Sequence, residues 1–295
     1  LLNFTVSNWR SIRNEVTLSM QATREQNHGD RLTKLKKFNT RVLPNAVLFG
    51  PNASGKSSFI AAMEFVQDLV LNWDKRFLLK YLEPYKLDRG TQRRPSEFTF
   101  QLYIDGYIYD YFVACTRNEI TAERLVKSNS SSSYVLFDRR GQQFTFDRTR
   151  ISEDALQRLE AIKLGTDRSQ PLLNNVHGQK LDTFDDVYNW FDNALVIIHP
   201  FTRFSRLQIF NSEEIIDLYN RWLPYLDTGI KRIEKEEVSA KESSIPEEEL
   251  EFILNVLMKR DKPADGSVVV NRNFILIETH VDAEPNFSRL ITIHE

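Results

Sequence analysis

The stretch 49-FGPNASGKSSF-59 limits this chain more than any other part of it. Gly50, Gly55, Lys56 and Ser57 satisfy G-x-x-x-x-G-K-[ST], the spacing of a loop that cradles phosphate. Its flanks fit that role. The apolar run 45-NAVLFG-50 predicts a short buried strand, and 57-SSFIAAMEFVQDLVLNW-73 carries Phe59, Ile60, Met63, Val66 and Val70 at helical spacing. Strand, glycine turn and helix in succession would aim backbone N–H groups and a helix N-terminus at one concave point. The expected site is Gly50, Pro51, Asn52, Ala53, Ser54, Gly55, Lys56, Ser57 and Ser58. Lys56 would reach the β and γ phosphates of ATP as the catalytic cation. Ser57 would ligate Mg²⁺, and Ser58 would support the α phosphate.

Around this loop the chain alternates between strand and helix patterns. Residues 2–9 and 15–21 alternate in hydrophobicity and predict an edge hairpin, and 23–41 reads as loop. Residues 96–147 read as an antiparallel meander of about five strands, with Asp105-Gly106 as a hairpin turn and the serines 130–133 as a flexible connection. Helices are expected over 152–164, 182–193, 212–236 and 246–260, with a buried strand over 194–200. The charged stretch 231–251 reads as an exposed helix-turn-helix insertion, and strands follow at 267–270, 274–281 and 288–295. These readings divide the chain into a nucleotide-binding lobe (1–95), an antiparallel β subdomain (96–150), a helical region (151–265) and returning strands (266–295).

Composition narrows the function classes. No apolar run approaches the roughly 20 residues of a membrane span, and the N-terminus reads as a strand, not a leader. The single cysteine, Cys115, fits a reducing cytoplasm. His28, His177, His199, His280 and His294 show no metal-ligand spacing with it or with each other. The net charge of −2 does not announce a nucleic-acid binder. Basic clusters at 34–37, 89–94 and 202–206 are solvated loops unless folding gathers them on one face.

The loop 50-GPNASGKS-57, preceded by 1-LLNFTVSNWRSI-12, resembles the ABC-type ATPases of the SMC, RecF and OLD group. More closely, 3-NFTVSNWRSIRNEVTLSM-20 together with 47-VLFGPNASGKSSFIAAMEFV-66 looks like the RloA/AriA-like ATPases of prokaryotic phage-defence operons. The resemblance implies an α/β ATPase head with an antiparallel β subdomain and a helical insertion. It also implies that Arg10 and Ser11 sit near the nucleotide. Two heads would sandwich ATP in a homodimer or higher homo-oligomer and control a TOPRIM-like or RloB-like nuclease partner.

An engine of that type also needs a signature helix and an acidic strand, and neither is found. Glu278 in 274-FILIETH-280 is the nearest carboxylate, and it lacks a preceding aspartate. The resemblance puts both motifs beyond residue 295, so a missing C-terminal part is expected. A RecF- or SMC-like ATP-gated DNA clamp is the competing expectation, with nucleic acid left open as a partner. A small-molecule P-loop kinase is disfavoured, because such enzymes rarely carry a long antiparallel meander after the loop helix.

Overall fold

We describe a computed structural model of the chain. It describes residues 1–23, 29–199, 213–226, 229–239, 242–243, 245–248, 250–251, 266–270, 275–279 and 286–294. The expected basic cluster at 202–206, the expected helix beyond residue 251, His28 and His280 lie outside these residues. The chain divides into two compact units, Leu1–Ile197 and Ile198–Glu295.

In the first unit, β1 (Asn3–Ser7) and β2 (Val16–Ser19) form the expected edge hairpin. Two short strands, β3 (Thr33–Leu35) and β4 (Thr40–Val42), pair within the region read as loop. The meander is β5 (Ser96–Ile104), β6 (Tyr107–Cys115), β7 (Ile120–Ser128), β8 (Ser133–Arg140) and β9 (Gln143–Phe146). Asp105 and Gly106 turn β5 into β6 with φ of 47° and 86°, the left-handed pair that two-residue hairpins require. The two parts are one layer: a seven-stranded antiparallel sheet in the order β2-β1-β5-β6-β7-β8-β9. The β1–β5 ladder, from Asn3↔Gln101 to Ser7↔Glu97, crosses the expected boundary at 95/96.

One face of this sheet is aromatic because every second residue of each strand points to it. Phe4, Phe98, Phe100, Tyr111 and Phe137 are fully buried there. Helix α1 (Lys56–Leu71) lays Phe59, Ala62, Met63, Phe65, Val66, Leu69 and Val70 on that face. Phe4 meets Phe59 edge-on at 5.1 Å, and Phe65 lies 5.3 Å from Phe98. Burying each such ring contributes about 2–3 kcal/mol. Helices α2 (Phe77–Tyr81), α3 (Glu153–Gly165), α4 (Leu172–Gly178) and α5 (Asp185–Asn189) follow, and the expected helix over 182–193 runs on from α5 as a π-type segment, Trp190–Ala194. Gln67 on α1 donates to the carbonyls of Phe191 (2.7 Å) and Leu195 (2.8 Å), fastening that segment to the helix.

A buried polar cluster fixes α4. The Glu123 carboxylate accepts from the backbone N–H of Leu172 (2.7 Å) and Leu173 (3.2 Å) and from the Tyr111 hydroxyl (3.1 Å). It therefore caps a helix whose own N-cap position is proline. Arg139 lies 3.6 Å from Glu123 and donates to the carbonyls of Gly141, Asp167, Arg168 and Gln170. Burial pushes the Glu123 carboxyl up, opposed by the Arg139 charge and the donors aimed at it. Asn174 of the capped helix donates to the Val70 carbonyl of α1 at 2.7 Å.

Three expectations are corrected. Residues 45–50 are not a strand: Val47 and Phe49 are 67% and 89% exposed, and no described strand offers their backbone a ladder. Residues 194–200 likewise form no strand over their described part, for the same reason. In the second unit, α6 (Glu213–Trp222) ends early, and 230–237 is strand β10 (Ile230–Glu237), not helix. β10 joins β11 (Gly266–Val270), β12 (Ile275–Thr279) and β13 (Asn286–His294) in an antiparallel sheet ordered β10-β13-β12-β11. KRIEKEE is charged at all but one position and has no clear apolar period, so it suits a strand as well as a helix. Pairing with β13 decides between them, aided by Asn220 of α6, which brackets Ile233 through both its N–H and C=O. Glu278 is an interior residue of β12, in register with Ser267 and Asn286.

Replacing Arg139 with Ala removes four carbonyl contacts and leaves Glu123 buried without its counter-charge. Chemical denaturation is expected to show a loss of about 3–5 kcal/mol. Arg140→Ala, which breaks only an exposed tie to Asp138, is expected to cost under about 1 kcal/mol.

Candidate phosphate-binding site

The loop before α1 has the backbone its sequence demands. Gly55 is the N-cap of α1 with φ of 98°, and its carbonyl accepts the first helical bond, from Phe59 N–H at 2.9 Å. A methyl group on Gly55 would sit 3.1 Å from the Ser11 hydroxyl, and one on Gly50 would sit 2.6 Å from the Ser54 hydroxyl. Both glycines are therefore close-approach positions. Ala53 also holds a left-handed φ of 64°, a conformation that costs a non-glycine residue about 1 kcal/mol or more.

The loop is open to solvent from Gly50 to Ser54. Lys56 folds back across it, donating to the carbonyls of Gly50 (2.6 Å) and Pro51 (2.7 Å) and approaching Ser54 Oγ at 3.4 Å. The Ser57 hydroxyl is exposed and makes no hydrogen bond among the described residues. A cradle with no Cβ at either glycine, a cation across its mouth and a disengaged hydroxyl fits a nucleotide's phosphates with their Mg²⁺. Gly50, Gly55 and the loop amides would hold the phosphates, Lys56 would neutralise them, and Ser57 would offer its oxygen to the ion. Among the described residues no carboxylate hydrogen-bonds to the loop, and no group of three or more metal-ligating side chains exists.

The turn after β1 is fastened to this site. Ser11 Oγ donates to Ser58 Oγ at 3.0 Å, which places Ser11 beside the first turn of α1. Arg10, with φ of 45°, is engaged elsewhere: its backbone N–H donates to Glu83 O, and its Nε lies 3.1 Å from the Glu83 carboxylate. Burial pushes Glu83 up, but the Lys86 hydrogen bond and the Arg10 and Lys86 charges outweigh it and hold the carboxyl below its usual range.

Two residues carry weight that the sequence reading did not assign. Trp9 is buried against Phe65 and Phe98, and its indole N–H donates to Ser58 O at 2.8 Å. The Asn8 side chain donates to the carbonyls of Thr91, Arg94 and Pro95 and accepts from Tyr85 N–H. The available signal was an Asn-aromatic pair directly after a strand, where asparagine's tolerance of positive φ suits a tight turn; Asn8 has φ of 52°.

No helix among the described residues is long and apolar enough to cross a membrane. Residues 46–247 match a protein-family model described as "AAA domain, putative AbiEii toxin, Type IV TA system". No curated protein matches the sequence.

Gly55→Ala would force alanine into a left-handed φ and crowd Ser11. Binding of a fluorescent ATP analogue is expected to weaken about five- to 150-fold, the equivalent of roughly 1–3 kcal/mol of backbone strain. Adding Ser11→Ala should relieve the crowding but not the dihedral, and so restore only part of the loss.

Proposed function

Because this chain belongs to that AAA-domain family, a family of P-loop ATPases, we propose that Gly50–Ser58 binds and hydrolyses ATP with Mg²⁺ as the switch of a larger assembly. The observation that carries the reading is Lys56 lying across a loop that only glycine can build at Gly50 and Gly55. Binding exchanges partners: the ammonium leaves the Gly50 and Pro51 carbonyls for phosphate oxygens, while the loop amides take the remaining negative charge. Mg²⁺, held in part by the Ser57 hydroxyl, would supply neutralisation of the phosphate charge. Ser58 answers to two neighbours at once, through its hydroxyl to Ser11 and its carbonyl to Trp9. A shift at the start of α1 on binding would reach the β1 turn directly, and that turn is the natural output of a switch.

The finer assignment rests on the resemblance to RloA/AriA-like subunits, with the ABC-type arrangement of two heads closing on ATP and a nuclease held in check. The words of the family description, a toxin of a toxin–antitoxin system, support effector control over a metabolic role. The residues described here supply phosphate cradle and metal hydroxyl but no water-activating carboxylate at the loop.

Lys56→Ala is expected to weaken nucleotide binding by about ten- to a hundred-fold, the worth of a charge-assisted bond, and to abolish hydrolysis in the full assembly. Unchanged affinity in an equilibrium titration would refute the nucleotide site. Retained phage protection in cells carrying the variant would refute ATP-dependent switching as the basis of defence, and no protection by the parent would refute the defence role.

A further inference from the structure

We propose that the cavity at the shared end of β6, β7 and β8, closed by the start of α3 and the segment 182–186, binds a free α-amino acid with an apolar side chain. This inference is separate from the nucleotide reading, since no residue from 50 to 58 lines that cavity. Its volume is about 280 Å³, just below the range that drug-sized ligands fill and enough for a small metabolite.

Floor and rim differ in kind. Leu136, Ile151, Ala155 and Phe184 line the cavity and are all buried, so its floor is apolar. The rim carries two cations and two carboxylates, Lys127 and Arg150 against Asp182 and Asp186. Aromatic rings already hold both cations in place. The Lys127 ammonium lies 4.3 Å from the ring centre of Tyr107 and 4.9 Å from that of Tyr109, and the Arg150 guanidinium lies 4.8 Å from that of Tyr134. Asp186 is held too, since it accepts from the Tyr109 hydroxyl and lies 3.5 Å from Lys127. Three further carboxylates stand close in sequence, but Asp147, Glu153 and Asp154 do not line the cavity. That of Asp147 is turned to Thr149 and to the backbone N–H of Arg150.

This set of charges narrows the ligand. A phosphate dianion would gain Lys127 and Arg150 but meet two carboxylates as well. A polyamine would gain the carboxylates but meet two cations. A neutral apolar molecule would strip water from four charged groups and return nothing to them. A zwitterion answers both pairs: its carboxylate goes to Lys127 and Arg150, its ammonium to Asp182 and Asp186, and its side chain to the apolar floor. Rim groups already held by rings and by Tyr109 lose little freedom when it arrives. A purely structural clasp needs only the Lys127–Asp186 pair, and it gives no part to Arg150 and Asp182, both exposed on the same rim.

Isothermal titration calorimetry of the full chain with L-valine, L-leucine, L-methionine and L-phenylalanine tests the proposal. Saturable binding of at least one is expected. The N-acetyl and amide derivatives of the tightest binder each keep one of its two charges, as a peptide terminus does. Each should bind at least about ten-fold more weakly, the worth of a charge-assisted bond. Arg150→Gln should lower affinity for the amino acid by a similar factor and narrow its advantage over the amide. Asp182→Asn should narrow its advantage over the N-acetyl form. Both side chains are exposed, so both variants should keep the parent's melting temperature, and the comparison of derivatives needs no variant at all. No saturable binding at millimolar concentration overturns the proposal, as does a derivative that matches the amino acid. Parental affinity in both variants also overturns it and leaves the rim charges a structural role only. Lys56→Ala should bind the amino acid as the parent does, so failure of this cavity is distinguished from failure of the nucleotide site.

Discussion

The indole of Trp9 joins the two halves of this molecule's first unit. Its ring belongs to the aromatic seam between sheet and helix, 4.9 Å from Phe65 and 5.6 Å from Phe98. Its N–H reaches out of that seam to the carbonyl of Ser58, in the first turn of α1. A buried indole N–H without a partner is costly, so the ring cannot be packed without also setting where the helix begins. The glycine loop is consequently placed by a core residue of the opposite layer. Ser11, two positions along, inherits its contact with Ser58 from that placement.

The Glu123–Arg139 pair plays a comparable part at the other end of α1. Burying two charges seldom adds much net stability. Here the carboxylate replaces a missing helix cap, and the guanidinium ties three backbone carbonyls of the 167–170 loop to that of Gly141 in the β8–β9 turn. The pair's work is directional. It holds α4 where Asn174 can reach the last turn of α1, so that helix is registered at both ends by polar groups and along its length by apolar ones.

Much of this was legible in the sequence, and the pattern of misses has a physical cause. The 3.6-residue spacing after Lys56 and the alternation from Ser96 to Phe146 report local periodicity, which the chain obeys. The Asp105-Gly106 turn was readable because its torsions are a property of those two residues. Residues 45–50 and 194–199 failed because apolar content says that a segment would suit a strand, not that a neighbouring strand is there to pair with it. Residues 230–237 failed because a run so dense in charge carries no apolar period to separate strand from helix, and only the β13 ladder decides. At the site, the glycines and Lys56 were readable from spacing. Asn8 and Trp9 act through contacts reaching about 50 to 90 residues along the chain, to Ser58 and the 85–95 loop, which no local pattern encodes.

The back-folded Lys56 has a consequence for selectivity. Its ammonium already rests on two carbonyl oxygens, so any ligand must offer better acceptors than neutral amides to draw it away. Anionic phosphate oxygens do so, since charge-assisted bonds are roughly twice as strong as neutral ones. A nucleoside, or a monophosphate too short to reach the lysine, offers nothing in exchange. The loop would thus count phosphates through the strength of the contact its own backbone must give up, a form of proofreading that precedes any chemistry.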